Sequence, residues 1–178
     1  RYFGLYTVAD YWEQVIFLND WNRKRISTLI INKLFGSLSL KRILILGYSF
    51  KSNTNDIRES SAMYIVKDLL ENNAKLFIHD PQVSRKQIAE SLNQEESKEL
   101  SDIDEGNWIF CENLSDCFNL VDAIVILTEW DDYKDLDWEK ISNSMRKPSW
   151  LFDTRLIADK VEVRESGINY WGIGQGLN

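Results

Sequence analysis

The sequence has few of the residues that interrupt a chain: only two of its 178 residues are proline and eight are glycine. An all-β sandwich built from many turns needs more of both, so that fold class is disfavoured. Long apolar runs are missing as well. None approaches the ~18 residues of a membrane span, and the first residues, RYFGLYTVADYW, lack the design of a signal peptide. We therefore expect a cytoplasmic protein with no membrane partner.

Histidine and cysteine are scarce too. His79 is the single histidine, and five residues separate Cys111 from Cys117. The sequence thus contains no C-x-x-C pair and no His/Cys cluster with zinc spacing, and we expect no metal site. Free cysteine behaves as a small hydrophobe. We interpret both cysteines as buried, reduced and structural, with a disulfide or a nucleophilic thiol as the alternatives.

Positive charge is in short supply, since the formal net charge is −7. A general nucleic-acid binder needs a basic face that releases phosphate counterions, so this class is excluded. The stretch 90–105, ESLNQEESKELSDIDE, has seven acidic residues and one lysine. It predicts a solvated, mobile insertion, with an acidic partner-binding loop as the alternative.

The first fifth of the chain predicts one long helix over residues 7–35. Thr7 and Asp10 form a near capping box, and Gly36 is a plausible stop. Apolar residues recur at three- and four-residue spacings, at Tyr11, Val15, Leu18, Ile26, Ile30 and Leu34. Such a helix would be about 43 Å long. It either packs on its own domain or serves as a spacer or oligomerisation helix with contacts outside this chain. Arg1 as the first residue favours a chain that begins inside a longer protein.

Beyond Gly36, short β-rich runs alternate with amphipathic segments. The predicted strands are 41–47, 75–79, 108–111, 122–127, 149–152 and, more weakly, 168–173. The predicted helices are 59–72, 84–93, 114–120 and 136–145. Strands that are apolar on both faces and separated by helices indicate a parallel sheet covered on both sides. The fold class is therefore α/β, a doubly wound Rossmann-like sheet preceded by a long α-helix.

The first strand ends in a glycine, as in a nucleotide-binding unit, but the G-x-G-x-x-G motif is missing. The turn from Gly47 to Ser60 instead reads GYSFKSNTNDIRES. Ligands of such sheets lie outside the carboxyl ends of the strands. The turns TEWDDY and DTR, which follow two later strands, should meet the first turn there.

Basic side chains on these turns suit an anion. Lys51 and Arg58 precede a helix that starts near Glu59, where free N–H groups and the helix dipole favour phosphate. Arg155 would add the paired donors of a guanidinium, and Phe50 could lie against a base or sugar. The alternative is that these are surface charges, or partners of Asp56 and Asp153.

Several segments occur in the order of a known family: ILGYSFKSNTNDIRESSAMYI, HDP, DAIVILTEWDDYKDLDWEKI and KPSWLFDTR. They closely resemble the carboxyl-terminal domain of the UDP-glucose 6-dehydrogenases, in the UDP-glucose/GDP-mannose dehydrogenase family. VADYWEQVIFLNDWNRKRI resembles the end of that family's central helix. The resemblance implies that residues 1–36 end the central dimerisation helix region. Residues 40–178 would form a UDP-sugar-binding Rossmann-like domain.

The resemblance also implies an activity. The family oxidises UDP-glucose to UDP-glucuronate with two equivalents of NAD, through a covalent intermediate on the cysteine of a G-F-G-G-S-C motif. This sequence contains neither that motif nor the G-x-G-x-x-G of the NAD domain, so we assign it no catalytic residue. A homodimer or higher homo-oligomer is implied. The alternatives are a dehydrogenase of another nucleotide sugar, such as GDP-mannose or UDP-N-acetylmannosamine, and a non-catalytic nucleotide-sugar binding or assembly module.

Four site residues match family motifs. Phe50 and Lys51 match an F-K pair and Arg155 the arginine of F-D-x-R, all implied to bind the UDP-sugar. Arg58 matches the arginine of D-x-R-E-S, implied to reach NAD across the cleft. The cysteines match no catalytic position. His79 stands where tyrosine is usual, and we interpret it as structural. Three further departures from the family pattern lie in the turns: Ser49, Asn55 and Thr154.

We predict that this chain alone forms no NADH from UDP-glucose and NAD. The thiol that must attack the aldehyde carbon is missing from the sequence, and binding energy cannot replace a positioned nucleophile. The ultraviolet absorbance of NADH measures the reaction, with a complete enzyme of the family as the positive control. NADH above the background rate would contradict the prediction.

Overall fold

The computed structural model describes residues 1–99 and 105–175. Its strands are β1 Arg42–Leu46, β2 Lys75–His79, β3 Asn107–Phe110, β4 Ala123–Ile126, β5 Trp150–Asp153 and β6 Asn169–Gly172. Its α-helices are α1 Tyr6–Lys33, α2 Ser61–Glu71, α3 Arg85–Leu92, α4 Trp138–Ser144 and α5 Lys160–Glu165. Single 3-10 turns span Leu114–Asp116 and Asp131–Tyr133.

The strands form one six-stranded parallel sheet in the order β3-β2-β1-β4-β5-β6. In register, Leu44 of β1 lies opposite Phe77 of β2 on one side and Ile124 of β4 on the other. The chain winds outward from β1 in one direction and, after returning to β4, in the other. This confirms the predicted doubly wound Rossmann-like fold preceded by a long helix.

Each face of the sheet has its own apolar core, because successive side chains of a strand point to opposite faces. Ile43 and Ile45 of β1 lie in a core that also contains buried residues of α1, α2 and α3. Leu44 and Leu46 lie in a second core with buried residues of α4 and α5. Burial on both faces explains why consecutive positions in the middle of the strands are apolar.

Helix α1 divides into two halves. Its second half contributes Ile26, Leu29 and Ile30 to the first core. Its first half, together with Trp21, leaves large apolar side chains exposed, namely Tyr6, Val8, Tyr11, Trp12, Ile16, Phe17, Leu18 and Trp21. The second half of α1 therefore packs on the domain, as one of the two interpretations of this helix expected.

Of the two predicted ends of α1, the carboxyl end is confirmed and the amino-terminal cap is not. Gly36 adopts a φ of +80° and donates its N–H to the carbonyl of Ile31, so it ends the helix as predicted. The near capping box at Thr7 was wrong. The helix begins one residue earlier, and Leu5 stands at the N-cap without a side-chain hydrogen bond.

The helix predicted over 114–120 was also wrong, since only one 3-10 turn forms there. Leu120 has a φ of +57°, which no helix allows, and its N–H bonds to the carbonyl of Ser144 instead. Helix α5 was not predicted at all. Asp159 caps it by accepting from the N–H groups of Val161 and Glu162, so a capping aspartate was the available signal.

Part of the acidic stretch 90–105 is structured rather than mobile. Its first residues complete α3, and Ser97 donates its N–H to the carbonyl of Trp108 at 2.9 Å. The Glu96 carboxylate accepts the N–H of Phe110 at 2.8 Å. Residues 94–97 therefore pack beside β3, which corrects the prediction for them. Residues 100–104 lie outside the described part of the chain.

The cysteines were predicted to be reduced, and the structure corrects this. Cys111, directly after β3, and Cys117, directly after the first 3-10 turn, form a disulfide. Their Cα atoms are 6.0 Å apart, within the range that a disulfide spans. The tight turn of residues 114–116 brings them together. Cys117 is buried, as predicted.

Residues 1–99 and 105–175 contain neither a membrane-spanning helix nor a candidate metal-binding cluster. No helix among them is long and apolar enough to cross a membrane. No group of three or more His, Cys, Asp or Glu side chains among them could hold a metal ion.

Candidate functional site

Three segments meet at the carboxyl edge of the sheet, where β1, β4 and β5 end. We call them the opening turn (47–60), the second loop (127–133) and the third loop (153–158). The opening turn follows β1 and the second loop follows β4, the two strands at which the winding direction reverses. In doubly wound sheets the ligand crevice lies at this point.

Gly47 allows the opening turn to lie against the second loop. Its φ is +91°, and a Cβ at this position would be only 2.4 Å from the Cβ of Thr128. Any side chain at this position would therefore collide with Thr128, in the loop that follows β4. The hydroxyl of Thr128 donates to the carbonyl of Ser49 at 2.8 Å and joins the same two segments.

A buried carboxylate adds a second connection. Asp80 follows β2, and its Oδ2 accepts the N–H groups of Tyr48 at 2.7 Å and Ser49 at 3.0 Å. The same oxygen accepts the indole N–H of Trp130 at 3.2 Å. Sequence reasoning did not select Asp80 as a site residue. The available signal was an aspartate at the end of a buried strand, directly before a proline.

His79 occupies a structural position beside this carboxylate. It is buried, and its Nδ1 lies 2.9 Å from the hydroxyl of Tyr133, which also donates to the His79 carbonyl. Burial lowers the pKa of His79 and raises the pKa of Tyr133. Both groups therefore stay neutral at ordinary pH, which suits a packing role.

Phe50 and Lys51 lie on the outer part of the opening turn. The N–H of Phe50 donates to the carbonyl of Asp56 at 2.8 Å, which closes the turn on itself. Both side chains are exposed, and half of the Phe50 surface faces solvent. Within the described part of the chain Lys51 forms no ion pair, so its charge is available to a ligand.

Arg58 is held by its own turn. Its Nε donates to one oxygen of Asp56 at 2.9 Å and its Nη2 to the other at 2.7 Å. The side-chain hydrogen bonds from Arg58 lower the pKa of Asp56 to about 2. The interpretation of an arginine paired with Asp56 thus describes this geometry, and Arg58 remains exposed.

Arg155 is positioned by the buried Asp153. One oxygen of Asp153 accepts the N–H of Arg155 at 2.9 Å, and the other accepts that of Ala158 at 2.9 Å. The resulting turn directs the guanidinium to the second loop. There Nε donates to the carbonyl of Leu127 at 2.8 Å and lies 3.3 Å from the carboxylate of Glu129.

The structure thus places the predicted residues on three connected segments. Thr128 and Asp80 join the opening turn, with Phe50 and Lys51, to the second loop, and Arg155 binds that loop from the other side. Arg58 bonds only within the opening turn, among the described residues.

The three departures from the family pattern lie in different environments. The side chain of Ser49 is buried and its hydroxyl has no hydrogen-bond partner among the described residues, whereas the hydroxyl of Thr154 donates to the carbonyl of Ile126 at 2.7 Å. The carbonyl of Asn55 accepts from the side chain of Gln87 at 3.1 Å. None of them removes a positive charge from the edge.

A groove of about 610 Å³ lies elsewhere, along α1. It is lined by Trp21, Lys24, Arg25, Thr28, Leu29, Asn32 and Lys33. One helix supplies all of these residues, so the groove is an open surface feature. The convergence of charge and loops at the carboxyl edge is the stronger candidate for a ligand site.

Residues 44–160 match the family model described as the UDP-glucose/GDP-mannose dehydrogenase family, UDP binding domain. The chain belongs to this family. The matched region runs from β1 to the start of α5 and contains Phe50, Lys51, Arg58 and Arg155. The predicted resemblance is therefore confirmed.

Curated relatives of the family agree. The chain is 38% identical over 171 residues to a UDP-glucose 6-dehydrogenase of Caenorhabditis elegans, covering 94% of this chain and 34% of that protein. It is 40% identical over 173 residues to the UDP-glucose 6-dehydrogenase of Gallus gallus, covering 96% and 35%. The chain thus spans about a third of the length of these relatives.

A solved structure supports the fold. The UDP-glucose dehydrogenase of the archaeon Pyrobaculum islandicum superposes with a TM-score of 0.68 at 24% identity. The match covers 92% of this chain and 32% of that one. The Rossmann-like domain of this family member therefore has a close structural counterpart.

We predict that the Asp56 carboxyl of this family member titrates with a pKa of about 2. Arg58→Ala should raise this pKa towards its ordinary value, because the hydrogen bonds that favour the ionised form are lost. A folded-state pKa below the unfolded one means that the pair stabilises the fold above the unfolded pKa. That contribution is lost as the pH falls through about 2.

Side-chain carboxyl resonances followed by NMR against pH measure this pKa. Arg164→Ala is the matched control, since Arg164 lies on α5 over the ring of Tyr170. It should leave the Asp56 titration unchanged. An Asp56 titration that is identical with and without the Arg58 guanidinium would disprove the pairing in solution.

Proposed function

We propose that this domain binds the UDP part of UDP-glucose at the carboxyl edge of its sheet. It would act within a complete NAD-dependent UDP-glucose 6-dehydrogenase, which forms UDP-glucuronate. Residues 40–178 would constitute the binding domain, and residues 1–36 the end of a central helix region. Membership of the family and the relatives' names support this assignment.

The observation that carries the proposal is that the basic side chains of the opening turn and the third loop lie at the winding reversal. Arg155 reaches the second loop from one side, and the opening turn with Lys51 is joined to it from the other. Helix α2 starts at the end of the opening turn, with Ser60 as its N-cap. Its amino end adds the positive pole of the helix dipole. A diphosphate matches this arrangement in charge.

Each residue then has a distinct role. The Nε of Arg155 is occupied by the second loop, and no hydrogen bond within the described chain engages its two Nη groups, which can bind phosphoryl oxygens. Lys51 supplies a mobile point charge. Phe50 offers an exposed ring for the base or the sugar.

NAD, which accepts hydride when bound, would be held mainly by a region outside this chain. The opening turn offers only Gly47 where a dinucleotide site has a glycine-rich cradle. In a dinucleotide site, the acidic residue after β2 accepts a hydrogen bond from a ribose hydroxyl. The corresponding residue here is Asp80, and both of its carboxylate oxygens already accept N–H groups of this domain. The residues of this edge therefore do not fit a dinucleotide. Arg58, exposed at the rim, would face the cofactor from this domain.

A homo-oligomer completes the proposal. The exposed apolar side chains of the first half of α1 are too numerous for ordinary surface. A second copy of the same helix would cover them in an isologous contact.

We predict that Lys51→Ala and Arg155→Ala each weaken UDP binding by this chain about ten- to a hundredfold, since each removes a charge-assisted contact. Arg58→Ala should change UDP affinity little and, in the complete enzyme, should raise the Michaelis constant for NAD. Isothermal titration calorimetry and steady-state kinetics measure these effects.

The matched controls remove the same charge elsewhere. Lys67→Ala on α2 and Arg164→Ala on α5 should leave UDP affinity within about twofold of the parent chain. Equal losses in the control variants would show a general charge effect. GDP binding as tight as UDP binding would contradict the choice of nucleotide.

We predict that this chain dimerises through α1 and that Trp12→Glu shifts it towards monomer. A buried charge in the contact has no partner and costs free energy. Analytical ultracentrifugation over a range of concentrations measures the masses. Phe35→Glu, at an exposed aromatic just beyond α1, is the control and should remain a dimer. A parent chain that stays monomeric at high concentration would refute the isologous contact.

A further inference from the structure

Asp80 has an unusual environment for a carboxylate. Only 4% of its surface is exposed, and among the described residues it forms no ion pair. Five N–H groups surround it instead. Oδ2 accepts from Tyr48, Ser49 and Trp130, while Oδ1 accepts the N–H groups of residues 82 and 83, both at 2.9 Å. A buried charge without a cation is tolerated only when donors of this kind replace water.

The donors come from three separate segments of the chain. Tyr48 and Ser49 begin the opening turn, residues 82 and 83 follow β2, and Trp130 lies in the second loop. The Trp130 indole is itself buried. Among residues 1–99 and 105–175, Asp80 is therefore the one carboxylate that bonds to the start of the opening turn and to the second loop at the same time.

Both connected segments matter for the binding edge. The opening turn continues directly from Ser49 to Phe50 and Lys51. The second loop contains the Leu127 carbonyl and the Glu129 carboxylate that hold Arg155. The distance between Lys51 and Arg155 thus depends on how these two segments lie against each other.

We propose that Asp80 is a positioning residue of the UDP site. It does not contact the ligand. Its carboxylate accepts N–H groups from both segments and holds the opening turn against the second loop, so that Lys51 and Arg155 face the same diphosphate. This inference rests on the proposed function, because it assigns Asp80 a role in that site.

Asparagine cannot take over this role, although its shape is the same. The amide has one acceptor oxygen and one NH₂ donor. In either orientation its NH₂ group faces N–H donors, on the side of Tyr48, Ser49 and Trp130 or on the side of residues 82 and 83. Asp80→Asn should therefore loosen the opening turn without creating a cavity.

The chain offers a matched control in Asp122. Asp122 is also buried, and its carboxylate accepts the N–H of Arg42 at 2.8 Å. It precedes β4, at the amino edge of the sheet, and lies 3.4 Å from the guanidinium of Arg146. Asp122→Asn thus disturbs a buried carboxylate that is remote from the three loops.

The experiment compares this chain with Asp80→Asn, Trp130→Phe and Asp122→Asn. Calorimetry gives the UDP affinity, thermal unfolding gives the stability, and hydrogen exchange followed by mass spectrometry reports on the peptide covering 47–60. Asp80→Asn should bind UDP at least about tenfold more weakly and Trp130→Phe about threefold more weakly. Both should exchange faster over 47–60. Asp122→Asn should lose stability but keep UDP affinity within about twofold.

Each outcome decides a separate question. UDP affinity that falls equally in Asp80→Asn and Asp122→Asn would reduce Asp80 to a general stabiliser and overturn the inference. If Asp80→Asn does not fold, Trp130→Phe decides, and unchanged affinity and exchange in that variant overturn it. If the parent chain binds no UDP, the proposed function fails. Hydrogen exchange then decides alone: exchange over 47–60 must rise in Asp80→Asn and not in Asp122→Asn.

Discussion

Strand β1 has a parallel partner on each side, and this pairing is the constraint on which the site depends. Because β2 and β4 lie on opposite sides of β1, the connections that leave β1 and β4 run in opposite directions, and this is the point where doubly wound sheets bind their ligands. The backbone at this point has no space for a side chain, since Thr128 occupies it. Gly47 is therefore required by packing between strands, whereas in dinucleotide sites the corresponding glycines approach a ligand.

The sequence was most informative where apolar runs are bounded by turns. All six strands were predicted within one or two residues, because strands buried on both faces have a simple pattern. The edge that carries Lys51 and Arg155 followed from topology. The inward direction of the Asp80 side chain could not be predicted from the sequence, because its donors Tyr48 and Trp130 lie 32 and 50 residues away along the chain. Short elements such as α5 were missed because local capping, rather than periodicity, specifies them.

The electrostatics of the edge reconcile an acidic chain with an anionic ligand. Each arginine of this edge is accompanied by a carboxylate: Asp56 of the same turn for Arg58, and Glu129 of the second loop for Arg155. The opposite charges of each pair cancel at long range. The guanidinium N–H groups remain as directional hydrogen-bond donors at short range. An anion is then recognised by geometry at short distance rather than by a general positive field, which the net charge of −7 would not support.

Helix α1 has a mechanical consequence. It is 28 residues long, and only its second half is anchored in the core, so its first half acts as a lever of about 21 Å. A tilt of about 10° about the anchor displaces the first turn by about 4 Å. Near the fulcrum, the guanidinium of Arg23 donates to the carbonyl of Glu59, next to the N-cap of α2. A displacement of the far end of the helix therefore moves the last residues of the opening turn as well, by a smaller distance.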